Sequence, residues 1–392
     1  MISLLKNKNI ASRQSELTNH FDLDTAKKVL ALHSTFPGYK PTPLVELKGL
    51  SNHLGLNKIW IKDESHRFGL NAFKVLGAGY AVINYLYEYM GMDNKPLSFS
   101  FPNDKKIENK IESLTLVTAT DGNHGRGVAW TAQQIGCRSV IYMPKGTTQS
   151  RFENIKSLGA DVTIIDGSYD AAVQLAKENS KRYGWLLVQD SSWNGYEKIP
   201  LMIMQGYLTI MKEIFDLLKG EIPTHVFVQC GVGSLPAAVA AFLVNFLKEK
   251  KPVFVVVEPD DAACMLESAR LSSMITLKNE MKTIMAGLAC GTPSKSAFDI
   301  LSAHTDFFIK CPDEVTIKGM QILGRQEFGD PKIISGESGA VTTGLLYYLL
   351  SDKKFAPLSE ELKLNSASKV LLISTEGDTD PVMYRKILDQ IT

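Results

Sequence analysis

The chain alternates between short apolar runs and longer stretches in which apolar side chains recur every three or four positions. Seven of the short runs are rich in valine and isoleucine, and turn residues end each of them: LTLVTATD, SVIYMPKG, VTIIDGS, WLLVQDS, HVFVQCG, VFVVVEPD and KVLLISTEG. Runs that are apolar throughout suit strands buried on both faces, as in parallel sheets covered by helices. The pattern therefore predicts an α/β fold.

Stretches with helical periodicity lie between these runs and supply the crossovers that parallel strands need. Helices are predicted at residues 125–135, 169–183, 201–218 and 235–248. The polar, proline-containing stretch 92–113 predicts a surface loop or a short excursion between domain elements. Residues up to about Glu16 are expected to be loosely held.

Length and composition limit the classes of protein that fit. A chain of 392 residues is too long for one compact core and predicts two domains. The 43 basic and 42 acidic residues nearly cancel, so no nucleic-acid or membrane partner is expected. The chain has no run of about 18 apolar residues and no secretory segment, so we expect a cytoplasmic location. Five scattered cysteines without CxxC spacing indicate neither a disulfide framework nor a metal site.

One lysine stands where a covalent cofactor could attach. The run KDESHRFGLNAFK follows a strand-like segment at residues 58–61 and ends at Lys74, before a long apolar-periodic stretch. A lysine there can form a Schiff base with an aldehyde, although most lysines on helices are solvated charges. The earlier charges Lys62, Asp63 and Glu64 are expected at the surface or at a domain contact.

Three other polar segments end predicted strands: TATDGNHGRG, QCGVGSL and STEGDTD. In open α/β sheets ligands bind beyond the carboxyl ends of the strands, so we expect these segments and Lys74 to share one site. The backbone N–H groups and helix dipole at residues 231–235, GVGSL, are suited to a phosphate, although a plain strand-to-helix turn has the same sequence. A third glycine and a Walker lysine are missing, which disfavours a dinucleotide site and a P-loop.

Together these four segments resemble the tryptophan synthase β family of pyridoxal-phosphate enzymes, also called fold type II. With FPGYKPTPL, VQDSSWNGYEKIP, MAGLACG and ISGESGAV, the resemblance narrows to the diaminopropionate ammonia-lyases and extends from about residue 36 to residue 380. The aspartate of DGNHG distinguishes them from serine and threonine dehydratases. The resemblance implies pyridoxal 5'-phosphate as cofactor and α,β-elimination of D- and L-2,3-diaminopropionate to pyruvate and two ammonia.

The resemblance also implies roles for individual residues. Lys74 is expected to bind the cofactor and act as a base, and Asp121 to be the base on the opposite face. Asp190 is a second candidate for holding the β-ammonium group, although a strand-end residue often serves as a cap. The cofactor is expected to contact Lys74, Phe73, Asn123, Gly231, Val232, Gly233, Ser234, Leu235, Ser374 and Thr375. The substrate is expected to contact Asp121, Asp190, Tyr196 and Ser338.

Two of these expectations are more specific. Asn123 is expected at the pyridoxal ring oxygen, and Ser374, with Thr375 as the neighbouring candidate, near the pyridine nitrogen. Two other residues could have a structural role in place of a role in the site. Ser338 could be a helix N-cap, and Tyr196 could be a core residue.

The implied architecture has two domains, with the cofactor in the cleft between them. The smaller domain is placed at residues 66–200 and is inserted in a larger one formed by residues 1–65 and 201–392. A homodimer is expected. Two alternatives remain: a serine or threonine dehydratase or β-replacement synthase of the same fold, and a non-catalytic protein that binds pyridoxal phosphate.

Overall fold

The strands form two sheets in the computed structural model, which describes residues 1–8 and 15–390. In chain order the strands are β1 (Ser3–Lys6), β2 (Leu44–Glu46), β3 (Lys58–Asp63), β4 (Thr115–Ala119), β5 (Arg138–Met143), β6 (Asp161–Ile164), β7 (Leu186–Leu187), β8 (His225–Gln229), β9 (Val253–Pro259), β10 (Phe307–Cys311) and β11 (Lys369–Ser374). The larger sheet has the order β1-β10-β9-β8-β11-β3-β2, and the smaller sheet has the order β6-β5-β4-β7.

Helices cover these sheets. In chain order they are α1 (Leu23–His33), α2 (Lys48–His53), α3 (Val75–Tyr89), α4 (Lys105–Glu112), α5 (Asn123–Ile135), α6 (Gln149–Lys156), α7 (Tyr169–Tyr183), α8 (Lys198–Gly206), α9 (Leu208–Leu218), α10 (Ser234–Leu247), α11 (Cys264–Leu271), α12 (Lys295–His304), α13 (Asp313–Arg325), α14 (Val341–Ser351), α15 (Ala356–Glu361) and α16 (Pro381–Leu388). No helix in the described part of the chain is both long enough and apolar enough to span a membrane.

Both sheets are mostly parallel, which confirms the predicted α/β class. All pairs in the smaller sheet are parallel, and in the larger sheet only the edge strands β1 and β2 run antiparallel to their neighbours. Every residue of β4 and β8 is buried, as expected for strands with helices on both faces.

The two sheets draw on different parts of the chain. Strands β4 to β7 lie within residues 66–200 and form the smaller sheet, while the other strands come from the segments on either side. One hydrophobic cluster nevertheless includes buried residues of both parts, among them Leu116, Ile203 and Val226. The domain boundaries at residues 66 and 200 therefore stay a prediction.

The seven apolar runs all contain strands, but several details of the prediction were wrong. The stretch 201–218 forms parts of two helices, because the helix is interrupted at Tyr207, between α8 and α9. The stretch 92–113 contains α4, whose first turn is capped by the Asp104 carboxylate accepting from the N–H of Lys106.

Two further corrections concern the N-terminal part of the chain. Residues 3–6 are a strand paired with β10, whereas residues 9–14, also expected to be loosely held, lie outside the described residues. The charges Lys62, Asp63 and Glu64 are buried and not at the surface. Lys62 Nζ donates to Glu213 Oε2 at 2.6 Å, because α9 brings that carboxylate against the end of β3.

Candidate active site

A cleft opens at the carboxyl ends of β4, β8 and β11, between the two sheets. We call it the central cleft. Its lining includes residues 73–74, 120–124, 229, 231–236 and 375–376, which come from all four polar segments. The expectation that these segments share one site is met because parallel strands present their carboxyl ends at the same edge.

A lysine and an aspartate that both line the cleft form a close ion pair. Lys74 directly precedes α3, and its Nζ donates to Asp190 Oδ2 at 2.5 Å. Burial opposes ionisation of Asp190, but the charge of Lys74, the charge of His124 and the hydrogen bond from Lys74 outweigh it and hold the pKa of Asp190 at about 2. Burial likewise opposes the charge on Lys74, and Asp190 raises the pKa of Lys74 above its ordinary value.

Asp121 is the second carboxylate of the cleft, and its electrostatic environment is different. Burial raises the pKa of Asp121 to about 7, although the positive charges of Arg151 and Lys74 act in the opposite direction. The turn that carries it is held by Thr120 Oγ1, which accepts from the N–H groups of Gly122 at 2.9 Å and Gly125 at 3.0 Å. Asp121 is therefore able to exchange a proton near neutral pH.

Asn123 connects this turn to the end of β11. Its Nδ2 donates to Glu376, whose other carboxylate oxygen accepts from the N–H of Ser338 at 2.9 Å. Glu376 is 3% exposed. It therefore holds the amide of Asn123 and the loop before α14 in fixed positions at the cleft.

The turn at residues 231–235 has no room for side chains at its glycines. Gly233 has φ +101°, and a Cβ there would lie 2.5 Å from Met265 Cε. A Cβ at Gly231 would lie 3.1 Å from the carbonyl oxygen of Gly287. The first N–H groups of α10 have no partner inside the helix, so this turn offers them, with the helix dipole, to an anion. The Ser234 hydroxyl donates to the Asp190 carbonyl at 2.6 Å and so joins the turn to the ion pair.

Four buried polar side-chain atoms that line the cleft have no hydrogen-bond partner among the described residues. They are His124 Nδ1, Tyr207 Oη, Gln229 Oε1 and Ser338 Oγ. Leaving such an atom unpaired costs about 1–3 kcal/mol, so clusters of them indicate a polar ligand. The anion-binding turn, the lysine and these polar atoms fit pyridoxal phosphate.

The comparison with known families agrees with this geometry. Residues 35–358 match the family described as "Pyridoxal-phosphate dependent enzyme". The chain belongs to this family. Its cofactor is therefore pyridoxal phosphate, as expected from the motifs.

Relatives of this pyridoxal-phosphate enzyme include diaminopropionate ammonia-lyases. The chain is 47% identical to the Salmonella typhimurium enzyme over 92% of this chain and 91% of that protein. The Escherichia coli enzyme in complex with an aminoacrylate-PLP azomethine reaction intermediate has a TM-score of 0.90 at 41% identity, with 99% of this chain and 97% of that chain covered. Its complex with D-serine has a TM-score of 0.92 at 43% identity and the same coverage. The expected fold type II architecture is confirmed.

Most of the residues predicted for the site of this pyridoxal-phosphate enzyme line the central cleft. They are Phe73, Lys74, Asp121, Asn123, Asp190, Gly231, Val232, Gly233, Ser234, Leu235, Ser338 and Thr375. Their individual roles stay predictions, since lining a cleft does not assign a function to a side chain.

Two of the residues predicted for the site do not line the central cleft. The Tyr196 hydroxyl donates to the Leu187 carbonyl at 2.8 Å and accepts from the N–H of Gln189 at 2.9 Å, so it holds the strand end before Asp190 and does not line the cleft. The Ser374 hydroxyl donates to Ser335 Oγ at 2.8 Å. Neither residue lines the central cleft, whereas Thr375, the neighbouring candidate for Ser374, does. The roles expected of Tyr196 and Ser374 stay predictions.

Several residues that line the cleft were not predicted from the sequence. Glu376 lies inside STEGDTD, a segment in which the resemblance implies roles only for the hydroxyl residues. Tyr207 enters the cleft because the helix breaks between α8 and α9, and apolar periodicity does not reveal that break. Arg151 and Tyr169 belong to the first turns of α6 and α7, which no sequence motif marks.

Proposed function

We propose that this chain catalyses the elimination of the β-amino group of 2,3-diaminopropionate, giving pyruvate and two ammonia. The observation that carries the proposal is the presence of two differently tuned acid–base groups, the Lys74–Asp190 pair and Asp121, in one cleft. The identity to diaminopropionate ammonia-lyases, at 47% over 92% of the chain, supports this substrate.

Each part of the cofactor has a candidate holder. Residues 231–235 would bind the phosphate, Lys74 is the residue to which the aldehyde carbon would be bonded, and Asn123 and Thr375 would face the ring. When bound, pyridoxal phosphate supplies an electron sink that acidifies the α-carbon of an amino acid. The protein's part is to orient the groups and to move protons.

Lys74 and Asp190 would handle the proton of one enantiomer. A free Lys74 amine removes the α-proton from the side on which it lies, and becomes an ammonium ion. Asp190 Oδ2, at 2.5 Å from Lys74 Nζ, stabilises that charge and keeps the amine oriented. The charge of Lys74 is the main cause of the low pKa of Asp190, so Asp190 is a carboxylate whenever Lys74 is an ammonium ion.

Asp121 would serve the mirror-image substrate. A lysine on one face reaches the α-proton of only one enantiomer, so activity on both requires a second base. With a pKa of about 7, Asp121 is a sufficiently strong base at neutral pH and is still substantially deprotonated there. The relative that binds D-serine supports access of D-amino acids to such a site.

A carboxylate would also assist the departure of the β-amino group. Nitrogen leaves readily only as ammonia, so the group must stay protonated until the bond breaks. Asp121 and Asp190 are the candidates to hold this ammonium by a charge-assisted hydrogen bond. A hydroxyl leaving group carries no such charge, so these carboxylates favour diaminopropionate over serine.

A substrate panel tests the proposal. The purified protein with pyridoxal phosphate is given D- and L-diaminopropionate, D- and L-serine and L-threonine, and keto acid and ammonia are measured together. We expect two ammonia per pyruvate from both diaminopropionate isomers, and slower turnover of serine with one ammonia per pyruvate. Faster turnover of serine or threonine would instead identify a dehydratase.

The same preparation separates an enzyme from a binding protein. Violet absorbance that borohydride abolishes, without ammonia release from any amino acid, would indicate a protein that binds the cofactor but does not catalyse the reaction. We also propose, from the family resemblance, a homodimer and a cytoplasmic location. Sedimentation at several protein concentrations tests the first.

A further inference from the structure

Besides His124, whose pKa burial lowers, the basic side chains that line the central cleft among the residues described are Lys74 and Arg151. Lys74 is paired with Asp190. Within the described part of the chain, no carboxylate lies within 4.0 Å of the Arg151 guanidinium. Arg151 is therefore a cation in a partly buried position whose charge is available to a ligand.

The surroundings of Arg151 hold it at the cleft. Its side-chain stem packs along the turn that carries Asp121, because an ideal Cβ on Gly122 would lie 3.5 Å from Arg151 Cδ. Two hydrogen bonds connect its helix, α6, to the loop after β11. Asn154 Nδ2 donates to the Thr379 carbonyl at 3.2 Å, and Ser150 Oγ donates to the same oxygen at 3.4 Å.

The positive charge of Arg151 affects the pKa of two nearby carboxylates. Burial raises the pKa of both Asp121 and Glu337, to about 7 in each, and the positive charge of Arg151 acts against that rise. The guanidinium thus lies close enough to influence both carboxylates without forming a direct ion pair with either.

An amino-acid substrate brings a carboxylate into this environment. The cleft already contains the carboxylates of Asp121, Asp190 and Glu376, which would repel it. An arginine presents a planar fork of N–H donors that matches a carboxylate and binds it through two parallel hydrogen bonds. Lys74 is paired with Asp190 and is the expected attachment point of the cofactor. Arg151 is therefore the cation that remains for the substrate carboxylate.

We infer that Arg151 binds the α-carboxylate of the amino-acid substrate and so makes the site select amino acids over amines and amides. The inference rests on the proposed function in one respect, namely that the substrate is an α-amino acid. Anchoring the carboxylate beside the Asp121 turn would also hold the α-carbon within reach of both proposed bases.

A matched pair of ligands tests this inference apart from turnover. Alanine and alaninamide have nearly the same shape, but only alanine has a carboxylate, and neither has a β leaving group. Each is titrated into the holoenzyme, and its Kd is measured from the change in absorbance of the bound cofactor. The proteins are the wild type, Arg151→Gln and Arg151→Lys.

We expect Arg151→Gln to weaken alanine binding by about 10- to 100-fold, as for loss of a charged hydrogen-bonded pair. Alaninamide binding should change by less than about twofold, since alaninamide has no carboxylate to pair with the Arg151 guanidinium. Arg151→Lys, which keeps the charge but not the fork, should fall between the wild type and Arg151→Gln. With diaminopropionate as substrate, KM should rise more than kcat falls.

Lys156→Gln is the matched control. It removes one positive charge from the same helix at an exposed position that does not line the cleft, so alanine binding should be unchanged. Thermal melts report whether the variants fold. If Arg151→Gln does not fold, the ratio of alanine to alaninamide affinity in Arg151→Lys decides.

Three other outcomes are distinct. Equal weakening of alanine and alaninamide would overturn the inference, because it would mean a general distortion of the cleft. Unchanged alanine affinity, with only the pH dependence of D-isomer turnover shifted, would also overturn it and make Arg151 a mere counter-ion of Asp121. A wild type that prefers alanine through Arg151 but releases no ammonia from diaminopropionate would support the inference and refute the proposed function.

Discussion

Two groups of buried or partly buried charges include residues of the segment 64–74, which leads from β3 to α3, and they differ in how fully they are paired. The first, which we call the structural cluster, consists of Lys62, Glu64, Arg67 and Glu213. All four side chains are at most 3% exposed, and two positive charges face two negative ones. Lys62 lies 2.6 Å from Glu213, and Arg67 lies 2.8 Å from both Glu64 and Glu213.

The charges of the central cleft are paired incompletely. Lys74 and Asp190 form one close pair, but Asp121 and Arg151 have no close ion-pair partner among the described residues, and Asp121 has its pKa raised to about 7 by burial. The comparison shows that burial of charge does not by itself mark a functional site. In this molecule the distinguishing feature is that two charged groups of the cleft, Asp121 and Arg151, have no close ion-pair partner among the described residues and so are available to a ligand or a proton.

The largest expected effect comes from removing the cleft lysine. Lys74→Ala should lower turnover of both diaminopropionate isomers by about 10⁴-fold and abolish the violet absorbance of the bound cofactor, because both the covalent attachment and a base are lost. Steady-state kinetics and an absorption scan measure this.

The control for that change is Lys145→Ala. Lys145 and its partner Asp166 are 75% and 87% exposed, and such surface pairs contribute little. Turnover and absorbance should stay at the wild-type level. Persistence of the violet band in Lys74→Ala would show that another residue carries the cofactor.

The structural cluster should respond to mutation in its stability. Glu213→Gln removes the carboxylate shared by Lys62 and Arg67 and leaves a buried positive charge uncompensated, which costs about 3–5 kcal/mol in free energy of unfolding. Urea denaturation measures this loss, and the folded fraction should keep its specific activity.

The matched variant is Glu221→Gln. Glu221 also contacts two lysines, Lys58 and Lys369, but all three side chains are 28% to 37% exposed, so solvent screens the pairs and only a small change in stability is expected. If the two variants were equally stable, the idea that complete pairing makes the buried cluster structural would be wrong.

A smaller and more selective effect is expected at the second cleft carboxylate. Asp121→Asn should lower D-diaminopropionate turnover by about 10²-fold or more, while much of the L-isomer activity remains, because only the D-isomer needs this base. Equal loss of both activities would remove the proposal of two bases on two faces.

The pH dependence sharpens this test. Because the unprotonated carboxylate is the active form and its pKa is about 7, D-isomer turnover should rise as the pH increases through 7 and fall below it. In Asp121→Asn the residual D-isomer activity should lack this step. Rate profiles for the two isomers, measured on the same preparations, provide the comparison.

Much of the fold was predictable because its signals are local. Apolar runs of β-branched residues located the strands β4 to β9 and β11 apart from exact bounds, since a strand buried on both faces needs no partner to be recognised. The edge strand β6 was located in the same way although most of its residues are exposed. The five-residue strand β10 and the short edge strands β1 and β2 were not predicted, because their form depends on neighbours far away in the chain.

The sequence by itself determined the α/β class, the lysine at position 74 and the glycine turn at residues 231–235. These depend on periodicity and on backbone conformations that few residues adopt. Only the tertiary structure decided which charges are paired. Lys62 and Glu64 are buried with partners, Arg151 has no ion-pair partner in the described part of the chain, and Tyr196 turns to a strand end. The carboxylate that pairs with Lys62 and Arg67, that of Glu213, comes from a segment more than a hundred residues away, and such contacts cannot be read from local sequence.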